Sequence, residues 1–202
     1  DKLGESQALM NLGRVYLSIG EPDKSLSYYR ESLEIATEIL DPLGKSQILN
    51  NIGDVFAFKG KSEQAKDYYQ QAFDLSEEIG DQFGKAEALK KLAVMARQTS
   101  NYEEALAYYS QSQEIDSGFE FRQGQAIALR GVASIYQAQG DFSAALDFYN
   151  EALVFRREAG DKIGEGSTLR EVGNLYYSQG NSSAALNYYA QALDISREVS
   201  DR

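Results

Sequence analysis

The stretch Ala185–Ile195, ALNYYAQALDI, sets two adjacent tyrosines inside a run whose apolar residues return at helical spacing. Variants of it begin at Ser25 (SLSYYRESLEI), Ala65 (AKDYYQQAFDL), Ala105 (ALAYYSQSQEI) and Ala145 (ALDFYNEALVF), so the text recurs every 40 residues. Blocks start at Asp1, Asp41, Asp81, Phe121 and Asp161, with no insertion or deletion between them. Tyrosine serves catalysis, ligand stacking or packing. Five copies at helical spacing favour packing, because aromatic rings at such positions carry core area.

Each block repeats a second set of signals. Glycine holds block position four (Gly4, Gly44, Gly84, Gly124, Gly164) and leucine position nine (Leu9, Leu49, Leu89, Leu129, Leu169). Small residues hold positions 13 and 25. Apolar residues at 9, 12, 13 and 16, and again at 25, 26, 29, 32 and 33, predict two helices, A and B. Gly20, Gly60, Ser100, Gly140 or Gly180 separates them, where a left-handed residue closes the first helix. Asp41-Pro42 reads as an N-cap followed by proline at the first helical position. The expectation is an all-α chain of ten helices in five helix-turn-helix repeats (1–40, 41–80, 81–120, 121–160, 161–200), a single solenoid domain over 1–202.

This pattern resembles the tetratricopeptide repeat family over all five blocks. The family's large, Leu, Gly, Tyr then Ala, aromatic, Ala series stands here as Leu9, Leu12, Gly13, Tyr16, then Ser25, Tyr29, Ser32. In the last block it is Leu169, Val172, Gly173, Tyr176, then Ala185, Tyr189, Ala192. The usual tryptophan is leucine, the late proline is missing, and the unit exceeds the usual period of about 34 residues. It is similar to the long repeats of kinesin light chain, spindle-orientation adaptors and bacterial signalling proteins. The resemblance implies a right-handed α-α superhelix with the second tyrosine of each pair buried between helices A and B. The first tyrosine, about 100° around the helix, fills the seam to a neighbouring repeat or reaches the surface.

Composition narrows the function. The chain lacks histidine, the commonest general acid–base and metal ligand, and lacks cysteine, which rules out disulfides and thiolate sites. A net charge of −11 argues against nucleic acid and anionic membranes as partners. No apolar run reaches the roughly 18 residues of a membrane span. Gly60-Lys61-Ser62 lacks the earlier glycine and preceding strand of a phosphate loop and reads as an interhelical turn, as does Asn181-Ser182-Ser183. The expectation is a protein that is not an enzyme, has no cofactor or metal, and is at home in a reducing cytoplasm. IDSGFEFRQGQ, Ile115–Gln125, is the one irregular junction, read as drift of the repeat with a hinge or contact surface as the alternative.

By the same resemblance, the A helices line a concave groove for an extended or helical peptide. Positions 7, 10, 14 and 17 point to a face centred roughly 110° from the helix A core. Those twenty positions carry Arg14, Lys90, Arg97, Arg130 and Arg170 against Asp54 and Glu87, a net of +3 in an acidic chain. Lys90, Arg130 and Arg170 form a ladder at position ten, and Asn50 and Asn174 stand where asparagines clamp peptide backbones in kinesin-light-chain-like repeats. With Tyr177 these residues make the expected binding set for an acidic peptide or helix. The alternatives are a regulatory region acting on an effector domain of its own chain and an architectural, self-assembling array. Asp1 opens a block without methionine and Asp201-Arg202 restarts the motif, so a fragment is expected. Leu193, Ile195 and Val199 are expected to leave apolar surface at the end of the array, favouring end-to-end self-association.

Overall fold

The computed structural model describes residues 1–200, which form ten helices and no strand. The A helices are α1 (Lys2–Ser18), α3 (Pro42–Phe58), α5 (Gln82–Gln98), α7 (Arg122–Gln139) and α9 (Lys162–Ser178). The B helices are α2 (Pro22–Glu38), α4 (Ser62–Ile79), α6 (Tyr102–Gly118), α8 (Phe142–Glu158) and α10 (Ser182–Ser200). The motif restart at Asp201-Arg202 lies outside the described residues. Two compact units divide the chain, Asp1–Met95 and Ala96–Arg202. No described helix is long and apolar enough to cross a membrane.

The recurrent D-x-x-G has a local cause. Asp41, Asp81 and Asp161 accept hydrogen bonds from the amides of Gly44 (2.9 Å), Gly84 (3.0 Å) and Gly164 (2.8 Å), capping α3, α5 and α9. A Cβ on Gly44 would collide with the Asp41 carboxylate, and one on Gly84 with that of Asp81. Glycine at position four thus fits the carboxylate where it lies in these caps, although Asp141 makes the same cap to the amide of Ala144 at 3.0 Å. Asn181 serves α10 similarly, accepting from the Ala184 amide at 3.1 Å, so the turn at Asn181 supplies an N-cap.

A left-handed residue closes each turn between A and B helices, with Ser100 (φ 60°) doing in the third repeat what glycine does elsewhere. The irregular junction keeps this geometry. Gly118 is the last residue of α6, and Glu120 (φ 53°) takes the left-handed position that Leu40 (φ 54°) takes at the end of the first repeat. Each non-glycine residue there costs about 1–2 kcal/mol of backbone strain.

Within a repeat the second tyrosine is the keystone. Tyr29, Tyr69, Tyr109 and Tyr149 are 1–2% exposed. A Cβ on Gly13 would lie 2.6 Å from the Tyr29 ring, and one on Gly53 would strike the Tyr69 ring. Helix A thus needs a small residue where the ring crosses it. The first aromatic stacks inside its own repeat rather than across a seam. Ring centroids are 5.2 Å apart for Tyr16–Tyr28 and Phe56–Tyr68, 5.3 Å for Tyr136–Phe148 and 5.4 Å for Tyr176–Tyr188. The third repeat has Ala96 instead, and the Tyr108 hydroxyl donates to Glu104 at 3.0 Å.

Successive repeats join by laying helix B on the next helix A. Leu49, Ala72 and Ala88 form one such core with Leu33 and Phe73 packed on it; Ala133, Tyr149, Val172 and Leu175 form another in the second unit. Ion pairs rim these joints: Lys59–Asp23 at 2.5 Å, Lys85–Glu77 at 2.8 Å and Arg157–Glu165 at 2.6 Å.

Candidate protein-binding face

The tyrosine keystones reach the A-helix face from beneath. The Tyr69 hydroxyl donates to Asp54 Oδ1 at 2.8 Å, that of Tyr149 to Gln137 Oε1 at 3.0 Å, and that of Tyr189 to Asn174 Oδ1 at 2.7 Å. The acceptors sit at positions 14 and 17, so these residues of the expected face also anchor the core. Burial, then the Asp54 carboxylate, pushes the Tyr69 phenol far up. Tyr149 is pushed up to about 12 by burial and Glu171, against the opposing pull of Arg130 and Arg97. Neither phenol ionises near neutrality.

In the first unit most charges on this face are mutually satisfied. Asp54 receives Lys91 Nζ at 2.7 Å on one oxygen and 2.8 Å on the other, and Lys91 also lies 3.7 Å from Glu87. Arg14 is exposed and donates to Asn11 Oδ1 at 3.0 Å. Lys90 is half-buried. Asn50 is 2% exposed, and its Oδ1 has no hydrogen-bond partner. As the chain stands, that asparagine faces packed protein rather than solvent.

The second unit differs. Arg130 donates to Glu171 Oε1 at 2.8 Å, so its charge is compensated. Arg97 is half-buried. Arg170, Asn174 and Tyr177 are all exposed. They follow i, i+4, i+7 spacing on α9 and share one stripe about 10 Å long. Arg170 has no anionic partner among the described residues. Of the position-ten ladder, therefore, Lys90 belongs to the first unit, while Arg130 on α7 and Arg170 on α9 belong to the second.

Sequence reasoning missed position 11. Lys91 and Glu171 hold it, and each neutralises a face residue of the preceding repeat. The signal was present: at 100° per residue, position 11 lies about 40° from position seven and belongs to the same surface. Among the described residues no group of three or more His, Cys, Asp or Glu could hold a metal ion.

A tetratricopeptide repeat family model matches residues 4–78, 84–158 and 124–198. The chain belongs to the tetratricopeptide repeat family, whose repeats are protein-interaction scaffolds. No curated protein matches it in sequence. Solved structures share the fold. BtubC (BKLC) from P. vanneervenii is 22% identical, with 100% of this chain and 83% of that one covered and a TM-score of 0.79. A Rap protein complexed with Competence and Sporulation Factor is 16% identical with a TM-score of 0.87; 98% of this chain covers 55% of it. The kinesin-light-chain-like repeats of Podosopora anserina are 12% identical, covered over 100% and 99%, with a TM-score of 0.71. The chain thus spans little more than half of the Rap protein.

Proposed function

We propose that this chain is a protein-binding module that takes an acidic peptide or helix on its A-helix face, centred on α9. The carrying observation is the exposed stripe Arg170, Asn174 and Tyr177, whose arginine has no anionic partner among the described residues of a chain of net charge −11. Arginine offers bidentate geometry to a carboxylate, asparagine both a donor and an acceptor to a peptide backbone, and tyrosine a flat apolar surface. Asn174 is already oriented by the Tyr189 hydroxyl, which leaves its amide group to donate. Arg97 adds basic character in the same unit, where Arg130 is compensated by Glu171; in the first unit Asp54, Lys91 and Glu87 balance one another. The Rap protein crystallised with Competence and Sporulation Factor is a precedent for ligand recognition on this fold.

The test is selection from peptide libraries. An acidic library should be enriched over a basic one, and Arg170→Glu should remove the enrichment while leaving thermal unfolding unchanged. Equal enrichment of both libraries, or retention of acidic binders by the variant, contradicts the proposal. Arg130→Glu is a poorer probe, since it also sets a carboxylate against Glu171.

A further inference from the structure

Three of the keystone tyrosines give their hydroxyl to an acceptor at position 14 or 17 of helix A: Tyr69 to Asp54, Tyr149 to Gln137 and Tyr189 to Asn174. The third repeat carries Val94 and Arg97 at those positions, and neither side chain can accept a hydrogen bond. Tyr109 is only 2% exposed, yet its hydroxyl has no hydrogen-bond partner among the described residues. A buried donor left without an acceptor is destabilising, so this one is waiting for a partner that the repeat does not supply.

The surroundings of that hydroxyl favour an anion. The tip of the Tyr109 ring lies over Gly131 on α7, where an added Cβ would strike both ring and hydroxyl. Position 11, which Lys91 and Glu171 fill elsewhere, therefore carries no side chain here. Gly131 and Arg97 are half-buried, so the place is reachable from solvent. Arg97 has no ion-pair or hydrogen-bond partner among the described residues. Burial pushes the Tyr109 phenol up, while the charges of Arg97 and Arg130 pull it back. Both charges acting there are positive, whereas Tyr69 and Tyr149 feel the carboxylates of Asp54 and Glu171. Tyr29, whose repeat has Arg14 and Leu17 at the same two positions, also lies in the field of Asp54.

We infer that Tyr109, Arg97 and Gly131 form a subsite for one carboxylate of a bound acidic peptide. The carboxylate accepts from the Tyr109 hydroxyl as Asp54 does from Tyr69, pairs with the Arg97 guanidinium, and takes the room that Gly131 leaves on α7. Arg130, already held by Glu171, adds positive field without serving as a ligand. The ligand thus supplies the acceptor that three other repeats carry in their own sequence. This subsite deepens the acidic-peptide reading and rests on it: it lies apart from the α9 stripe and fixes where one carboxylate of the ligand must fall. A side-chain carboxylate and a chain terminus share this chemistry.

Two isomeric probes test it on the full chain by NMR: N-acetylisoglutamine, with a side-chain carboxylate, and N-acetylglutamine, with a terminal one. At least one should shift the Gly131 amide and the Arg97 Nε–H signals saturably, and the tighter isomer tells which source of carboxylate the subsite prefers. Tyr109→Phe should weaken that binding roughly tenfold, the loss of one hydrogen bond to a charged group. Arg97→Gln should abolish it while holding the urea midpoint at or above the parent's, because glutamine at position 17 repeats the Gln137–Tyr149 pair. Arg170→Glu should leave the Gly131 response unchanged, so failure of the α9 stripe and failure of this subsite are read separately. No saturable response to either probe overturns the inference, as does one that survives Arg97→Gln. A fall in the Arg97→Gln midpoint overturns it too, since Arg97 would then be a structural cation.

Discussion

Tyr69 shows how one side chain serves both stability and surface. Its ring fills the space that Gly53 leaves in α3, while its hydroxyl surfaces to bond Asp54. Tyr69→Ala should therefore cost about 3–5 kcal/mol, as large aromatic truncations in cores do. Tyr69→Phe should cost about 1 kcal/mol, the net worth of the lost hydrogen bond. Tyr189→Ala should cost clearly less than Tyr69→Ala, because Tyr189 is only half-buried in the last repeat. Urea unfolding midpoints check all three. The family resemblance indicated which tyrosine of each pair is buried. It could not reveal the partner of its hydroxyl, which depends on whether position 14 or 17 carries an acceptor in that block.

At the level of the helix, the start of α9 concentrates several effects on Asp161. Its carboxylate caps α9 through the Gly164 amide and forms an ion pair with Arg156, a buried cation. Burial raises the carboxyl pKa, but the Gly164 and Arg156 interactions outweigh it, and the net shift is downward. A depressed carboxylate stabilises the fold above its unfolded pKa near 4 and loses that contribution as pH falls through the lower folded value. Asp161→Ala should cost about 3 kcal/mol at neutral pH, through the lost cap and the unpaired buried arginine. Its deficit should shrink below pH 4, where the parent loses the same contribution; denaturant titrations at pH 6 and pH 3 check this. Helix number, helix order and the Asp41 cap were legible in the sequence, since each depends on residues within one or two turns. The ion pairs Asp54–Lys91 and Arg130–Glu171 were not, because they join neighbouring A helices about 40 residues apart in sequence. Only the packed geometry shows that position 11 faces positions 10 and 14 of the preceding repeat.

For the molecule as a whole, charge is the governing property. On the proposed reading, the chain's net charge of −11 disfavours acidic partners in general, while Arg170 on α9, with no anionic partner among the described residues, attracts them locally. Individual exposed ion pairs contribute about 0–1 kcal/mol, so binding should combine several weak contacts and fade with salt over a Debye length of about 8 Å at physiological ionic strength. Raising salt from low to molar concentration should therefore reduce acidic-peptide affinity. The most direct test of the central claim is backbone amide chemical-shift mapping of the chain as an acidic peptide is titrated in. The account predicts perturbations concentrated on α9 around Arg170, Asn174 and Tyr177 and on the facing residues of α7, and their loss in an added Arg170→Glu background. Perturbations confined to the B helices, or undiminished by that reversal, would contradict it.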